Sequence, residues 1–313
     1  MDKQAGTYHH IPVLLNECLD ALGIKPDGIY IDGTAGGGGH SFEIASRLRS
    51  GRLIALDKDP QAVAAAAGRL ESFPHAKVIQ SDFAKIAQVL EELKIPAADG
   101  ILLDLGISSH QIDTPERGFS YHHDTPLGMQ MSASGPGAKE LINEASREEL
   151  TRIFRSYGEE KFASRIAKNI VAQRKIKQIA TTYELVDIIR ESIPAAARRE
   201  GGHPAKRVFQ AIRIAVNDEL GNLETCLGSA FDLLKSGGRF AVITFHSLED
   251  RMVKRAFAAY CTGCDCPSHF PICVCGKKPR GKLINKKPIV ASDEELELNS
   301  RSKSAKLRVV EKI

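Results

Sequence analysis

Gly28-Ile29-Tyr30-Ile31-Asp32 runs straight into Gly33-Thr34-Ala35-Gly36-Gly37-Gly38-Gly39-His40-Ser41, and this stretch decides the fold. A short apolar run that ends in an acid and breaks into glycines reads as a buried strand feeding a tight turn. The strand-terminal aspartate recurs downstream in Arg52-Leu53-Ile54-Ala55-Leu56-Asp57, Ala76-Lys77-Val78-Ile79-Gln80-Ser81-Asp82 and Gly100-Ile101-Leu102-Leu103-Asp104. The four aspartates stand at nearly constant spacing, and each interval has room for a crossover helix and the next parallel strand. An open parallel sheet binds its ligands beyond the carboxyl ends of the strands, where the four acids converge.

Such a rim attracts a cation and repels a phosphate. A dinucleotide fingerprint would read G-x-G-x-x-G, and no register of the loop satisfies it. The sulfonium of S-adenosyl-L-methionine suits Asp32, and the acid-x-Gly-x-Gly-x-Gly pattern of methyltransferases is met at Asp32, Gly36 and Gly38, with Thr34 in place of the first glycine. Asp57 follows Gly36 at the distance, roughly 20 residues, of an acid that takes ribose hydroxyls. Asp82 and Phe83 offer a polar contact and an aromatic face to the adenine. Helix N-capping explains any one of these aspartates, but four at repeating spacing beside a glycine loop favour the cofactor.

The chain has 313 residues, 42% hydrophobic and 26% charged, which suits a globular protein with room for two domains. Its polar start and the lack of a long apolar run carry no membrane or signal pattern, so a cytoplasmic location is the default expectation. The net charge of +4 hides an asymmetry: residues 1–110 hold 10 Lys/Arg against 14 Asp/Glu, residues 161–213 hold 12 against 4, and residues 251–313 hold 14 against 6. Basic segments flanking an acidic cofactor half suggest a polyanionic substrate, most simply nucleic acid; a solvated helical face is the plainer alternative.

The segment between Asp104 and Arg239 is far longer than one crossover needs. The excess predicts an inserted helical domain over 113–213, with a discontinuous sheet domain from 1–112 and 214–313. Helical patterns cover Ser146–Tyr157, Glu160–Lys177 and Thr182–Ile193, and a further helix is expected from His203 through Val208, Ile212 and Val216 to Glu219. Lys161, Arg165 and Lys168 share one face of the second, opposite Phe162, Ile166 and Ile170, and with Arg174 form a basic surface for RNA. The fifth buried strand is expected over Gly237–Phe245, and Pro288–Val290 with Ala305–Val310 as two edge strands.

Candidate chemistry sits at two strand ends: Asp104-Leu105-Gly106-Ile107-Ser108-Ser109-His110-Gln111 and Thr244-Phe245-His246-Ser247-Leu248-Glu249-Asp250. Methylating an exocyclic amine requires acceptors for its N–H bonds, so that the lone pair is free for in-line attack. Asp104 with Ser108 or Ser109 fits that role. His246 either takes the leaving proton or simply starts a helix. Cytosine-C5 chemistry would need a cysteine nucleophile, and Cys18 and Cys226 lie in helical patterns away from both strand ends.

With these residues in view, the chain resembles the MraW type of bacterial 16S ribosomal RNA cytosine-N4 methyltransferases. The matching segments include His10-Ile11-Pro12-Val13-Leu14-Leu15-Asn16-Glu17, Asp32-Gly33-Thr34 with Gly38-Gly39-His40-Ser41, Asp57-Lys58-Asp59-Pro60 and Asp104-Leu105-Gly106-Ile107-Ser108-Ser109. They continue in Arg117-Gly118-Phe119-Ser120-Tyr121, His203-Pro204-Ala205, Phe245-His246-Ser247-Leu248-Glu249-Asp250 and Ser304-Ala305-Lys306-Leu307-Arg308. The resemblance implies a Rossmann-like S-adenosylmethionine-dependent sheet with an inserted helical domain. It implies methylation of the N4 amine of a decoding-centre cytosine in 16S rRNA, within the small ribosomal subunit or a late precursor. The family pattern puts cofactor contacts on Gly38, Gly39, His40, Asp57, Phe83, Asp104 and Gln111, which draws Asp104 from catalysis towards cofactor binding. Methylation of a protein or small amine, and a non-enzymatic assembly role, are the alternatives.

Cys261, Cys264, Cys266, Cys273 and Cys275 crowd into a C-x₂-C-x-C-x₆-C-x-C run. Such clustering suits metal better than disulfides in a reducing compartment. Cys261, Cys264, Cys273 and Cys275 offer two pairs for tetrahedral zinc, leaving Cys266 over; a reduced, flexible loop is the alternative.

Overall fold

A computed structural model of the chain describes residues 12–132, 135–199, 202–264, 266–267, 270, 272 and 274–313, and Ser109 and His110 by backbone alone. His10, Ile11 and Cys273 therefore lie outside the described residues. The chain divides into two compact units: the sheet unit, up to Gly106 and from Asn222 to Ile313, and the helical unit, Ile107–Gly221.

In the sheet unit the strands are β1 Ile29–Asp32, β2 Arg52–Asp57, β3 Ala76–Gln80, β4 Ala98–Asp104, β5 Leu234–Thr244, β6 Gly281–Leu283 and β7 Lys306–Lys312. They lie in the order β3-β2-β1-β4-β5-β7-β6. The first five are parallel, with β1 paired to β2 and β4, and β4 to β5; β7 then runs antiparallel to β5, and β6 to β7. The order reverses between β1 and β4, which makes their carboxyl ends the switch point where a crevice opens. Successive side chains alternate between faces, so Ile31, Ile54 and Leu103 join one core while Tyr30, Leu53 and Leu102 join the other. Helices α1 Leu15–Leu22, α2 Gly39–Arg47, α3 Pro60–Arg69 and α4 Ile86–Glu92 alternate with the first strands.

Two sequence expectations for this unit are corrected. The edge strand is Gly281–Leu283 rather than Pro288–Val290, whose Ile289 makes only an isolated bridge to Leu307. Proline supplies no ladder donor, and Gly281–Leu283, which contains none, pairs with β7 instead. The fifth strand also starts earlier, at Leu234, which pairs with Ala98 across a register shift.

The helical unit holds α5 Ser109–Asp113, α6 Ala138–Glu144, α7 Arg147–Gly158, α8 Ala163–Arg174, α9 Thr182–Ser192, α10 Ala195–Arg199 and α11 Lys206–Asn217. Its own core is built from Phe154, Ile166, Ile170, Leu185, Ile189, Phe209 and Ile212, all at most 4% exposed. The unit is wider than the expected 113–213 at both ends. Ile107 packs on its core, and at the far end Asn217 donates to Met129 O at 2.7 Å while its Oδ1 accepts from Met131 N at 2.8 Å. The expected helix to Glu219 stops at Asn217, because Asp218 turns left-handed at φ 48°. A new helix, α12 Glu219–Ser229, follows, and the chain re-enters the sheet unit at Asn222 within it. Arg174, expected on the RNA-facing surface, instead donates to Ile142 O at 2.8 Å and joins α8 to α6. Arg165 and Lys168 remain exposed, and Lys161 precedes the helix. After β5 come α13 Ser247–Cys261 and α14 Asp293–Leu298. Among the described residues, no helix is long and apolar enough to cross a membrane.

Candidate active site

The glycine loop is fixed from below by the sheet. Gly33 N donates to Leu102 O at 2.9 Å and Ala35 N to Leu56 O at 2.8 Å, so the loop continues the pairing of β1 with both neighbours. A Cβ on Gly33 would lie 2.4 Å from Leu103 Cδ2, and one on Gly39 would lie 2.5 Å from Pro12 Cγ. Gly38 turns at φ +77° with Ala66 Cα 3.1 Å from where a Cβ would stand. Gly37 is different: nothing lies within 4 Å of its absent Cβ. Its backbone borders open space that a ligand can approach.

Three carboxylates line this crevice from the sheet unit. Asp32, 1% exposed, accepts from Ser41 Oγ at 2.6 Å and Thr34 N at 3.1 Å. Burial pushes its carboxyl up to about 6, against the pull of those two donors. Asp57 accepts from Gly36 N at 2.8 Å through Oδ2 and from Asp59 N at 2.9 Å through Oδ1. A carboxylate has about four acceptor positions, so each oxygen retains a lone pair for a ribose hydroxyl. Burial raises the Asp57 pKa as well.

Asp104 is the most exacting of the three. Its backbone N donates to Thr34 Oγ1 at 2.6 Å, which ties the end of β4 to the glycine loop. The side chain is 25% exposed overall, yet Oδ1 is shut away from solvent with no hydrogen-bond partner among the described residues. Burial, then the charges of Asp32 and Glu249, holds its carboxyl well above the usual range. Oδ2 lies 3.7 Å from His40 Nδ1. The His40 Nε2 donates to Val13 O at 3.1 Å, since a carbonyl can only accept, and this leaves Nδ1 turned towards the acid. Residues from β1, β4, α2 and the chain before α1 thus meet at one point.

The remaining candidates fall elsewhere. Phe83 begins a one-turn helix over Phe83–Lys85 that Asp82 caps through Ala84 N at 2.9 Å. Asp82 also accepts from Asn222 Nδ2 at 3.0 Å and sits 3.7 Å from Lys58 Nζ, so part of its capacity is used structurally. Ser108 and Gln111 belong to the helical unit and bond each other in a capping box on α5: Gln111 N to Ser108 Oγ at 3.2 Å, Ser108 N to Gln111 Oε1 at 3.0 Å. The Ser109 side chain lies outside the described residues.

His246 caps α13, accepting from Glu249 N through Nδ1 at 3.4 Å. That bond puts the imidazole proton on Nε2 of the neutral ring, 3.1 Å from Glu249 Oε1 but out of line for a hydrogen bond. His246 thus stands at the start of α13, with Glu249 Oε2 closing the box on His246 N at 3.2 Å and also accepting from Phe245 N at 2.8 Å. Asp250, next in the motif, is held by Arg308 at 2.7 and 3.2 Å and joins α13 to β7.

Sequence reasoning named Thr34, Ser41 and Glu249 within its motifs but gave Ser41 and Glu249 no role and Thr34 no partner. Ser41 was legible in principle, standing in the first turn of the helix after the loop. Thr34 was not, because its partner Asp104 lies at the end of a strand far along the chain.

The crevice fits a cationic nucleoside cofactor on three counts: an acceptor oxygen buried without a donor, carboxylates whose charge burial leaves uncompensated, and open space over Gly37. S-adenosyl-L-methionine meets all three. Asp57 would hold the ribose, Asp32 and Asp104 the charged end, and Phe83 would border the adenine.

Residues 7–313 match the model of the MraW methylase family. The chain is 56% identical over 310 residues to Ribosomal RNA small subunit methyltransferase H of Heliobacterium modesticaldum, covering 98% of this chain and 99% of that one. The protein of the same name from Symbiobacterium thermophilum is 54% identical over 309 residues, at 98% and 97% coverage. That from Brevibacillus brevis is 52% identical over 310 residues, at 98% and 99%. The parallel sheet, the glycine loop and this full-length similarity lead to one conclusion: the chain belongs to the MraW methylase family, with the Rossmann-like fold of an S-adenosyl-L-methionine-dependent methyltransferase.

Proposed function

We propose that this chain methylates the N4 amine of a decoding-centre cytosine in 16S rRNA, acting on the small ribosomal subunit or a late precursor. The observation that carries the chemistry is Asp104 Oδ1, a buried acceptor without a donor at the carboxyl end of β4. The names of the relatives, ribosomal RNA small subunit methyltransferase H, support the choice of substrate.

S-adenosyl-L-methionine supplies an electrophilic methyl group on a sulfonium. The chain's part is to present the nucleophile. An exocyclic amine has its lone pair delocalised into the ring, and an acceptor that takes one N–H localises the pair for in-line attack. Asp104 Oδ1 is such an acceptor, and it is held still because Thr34 fixes the Asp104 backbone. As the C–N bond forms and the S–C bond breaks, the positive charge that develops on nitrogen falls beside the Asp104 carboxylate, which takes the released N–H proton in a poorly solvated site where electrostatic stabilisation is strong. His40 Nδ1 lies 3.7 Å from Asp104 Oδ2, beside the carboxylate. Two of the candidate catalytic residues, Ser108 and His246, act in this reading as positioning residues at the starts of α5 and α13. The helical unit, with Arg165 and Lys168 exposed on α8, serves as the substrate-recognition domain.

Unmethylated small subunits incubated with methyl-labelled cofactor, followed by nucleoside analysis, test this reading. Label recovered as N4-methylcytidine is the expected outcome. Label on another nucleoside, or on ribosomal protein alone, overturns it.

A further inference from the structure

The connection from α13 to β6 runs over residues 262–280, with no helix or strand among those described. Irregular connections of that length are uncommon in compact domains unless something orders them. Its base is clasped: Arg280 N donates to Tyr260 O at 2.9 Å, and Arg280 Nη1 pairs with Asp232 Oδ1 at 2.7 Å. Its body has no core to settle on. Phe270, Ile272 and Val274 are 44%, 74% and 73% exposed.

What the loop does contain is sulfur, gathered. Cys264, Cys266 and Cys275 bring their Sγ atoms within 4.8 Å of one another, and Cys264 Sγ lies 3.7 Å from Cys275 Sγ. A disulfide would need about 2.05 Å. Two thiolates on a tetrahedral zinc, with Zn–S bonds of about 2.3 Å, stand about 3.8 Å apart. Backbone amides point at two of the sulfurs: Cys266 N donates to Cys264 Sγ and Val274 N to Cys266 Sγ, each at 3.4 Å. Amide donors of this kind stabilise negative charge on sulfur, the form that binds metal. Cys261 stands apart at the end of α13, outside the cluster, with the Leu283 amide on its sulfur.

We propose that Cys264, Cys266 and Cys275 are ligands of a structural zinc ion that orders the 262–280 loop. This replaces the ligand set that spacing suggested: Cys266 enters and Cys261 leaves. Cys273 lies outside the described residues and has no part in the assignment. Zinc is favoured over harder divalent ions because every donor is a thiolate. The role is structural, since the cluster lies in a loop after α13 while the acid rim is at the ends of β1, β2 and β4.

The test uses the full chain purified without chelator, with metal content measured directly and Co²⁺ as a spectroscopic probe of the zinc-stripped protein. About one zinc per chain is expected, together with thiolate-to-cobalt charge-transfer absorption. Cys266→Ser should lower zinc content at least fivefold, while Cys261→Ser should retain it. Chelation should open the 262–280 loop to limited proteolysis at unchanged sheet-unit stability. Well under one zinc in the parent protein, with no cobalt–thiolate band, overturns the site. Zinc lost from Cys261→Ser but kept by Cys266→Ser overturns the ligand set. A Cys264–Cys275 disulfide in protein purified anaerobically overturns the metal reading altogether.

Discussion

The glycine loop after β1 and the cysteine loop after α13 are both irregular, and they are held in opposite ways. The first spans only Gly33 to Gly38, and the chain around it fixes it throughout. Gly33 and Ala35 donate to neighbouring strands, Thr34 N to Asp32, Gly36 N to Asp57 and Gly38 N to Ala35 O at 2.8 Å. The second, over 262–280, is several times longer and is clasped at its base by Arg280. A loop whose backbone is satisfied by strand ends is preorganised before its ligand arrives. The described amides of the second loop bond within it instead, Cys266 N to Cys264 Sγ and Val274 N to Cys266 Sγ. The first arrangement suits turnover, because rigid acceptors lose nothing at the moment of reaction.

The largest effect should come from the acceptor that the first loop positions. Asp104→Asn keeps the size and one oxygen but loses the charge and half the acceptor capacity. We expect kcat to fall about 100-fold or more, the scale of removing one transition-state stabiliser. A normal kcat with only a raised cofactor KM would confine Asp104 to cofactor binding. Asp57→Ala comes next. It removes the ribose acceptor and also the anchor of Gly36 N, so cofactor affinity measured by calorimetry should weaken roughly 10- to 100-fold. If it does not, the loop keeps its shape without Asp57, and its preorganisation has another source.

A pH series probes the same loop with a smaller effect. Asp32 titrates near 6 because burial disfavours its charge. Its raised pKa means that the unliganded fold loses stability as pH rises from the unfolded value through 6, and a bound cation reverses that loss by favouring the carboxylate. Cofactor affinity should therefore fall as pH drops below about 6, by at most tenfold per unit. The thermal shift on adding cofactor should grow between about pH 5 and 7. A flat affinity over that window would remove Asp32 from the cationic end of the site.

The same contrast explains what was legible in the sequence. Strands β1, β2 and β4 were, because each is an apolar run that ends in an aspartate; β3 stops at Gln80, short of Asp82, and β5 ends at Thr244. The strand-end acids Asp32 and Asp57 were legible for the same reason. Contacts between distant segments were not: Thr34 with Asp104, His40 with Val13, and the Asn217 bonds that draw the helical unit out to Gly221. Periodicity ran on through Asp218, because the left-handed turn that breaks the helix leaves no mark in an apolar pattern. Gly281–Leu283 is too short to show alternation, and only pairing with β7 makes it a strand. His246 shows the limit most plainly. Its residue type allowed a proton acceptor, and only the bond from Glu249 N identified a cap.

The smallest effect is the one that tests whether the two loops are independent. The acid rim lies at the ends of β1, β2 and β4, held by bonds that include no residue of 262–280. Removing zinc from the cysteine loop should therefore leave cofactor affinity within about twofold, a difference below ~0.4 kcal/mol. The same treatment should weaken binding to the RNA substrate if the exposed Lys277 and Lys278 of that loop face it, because disordered cations lose their alignment with phosphates. Calorimetry with cofactor and a salt-dependent RNA titration, on the same chelated sample, separate the two. A cofactor affinity that falls tenfold on chelation would couple the loops. The cysteine loop would then count as part of the active site's support rather than as a separate surface.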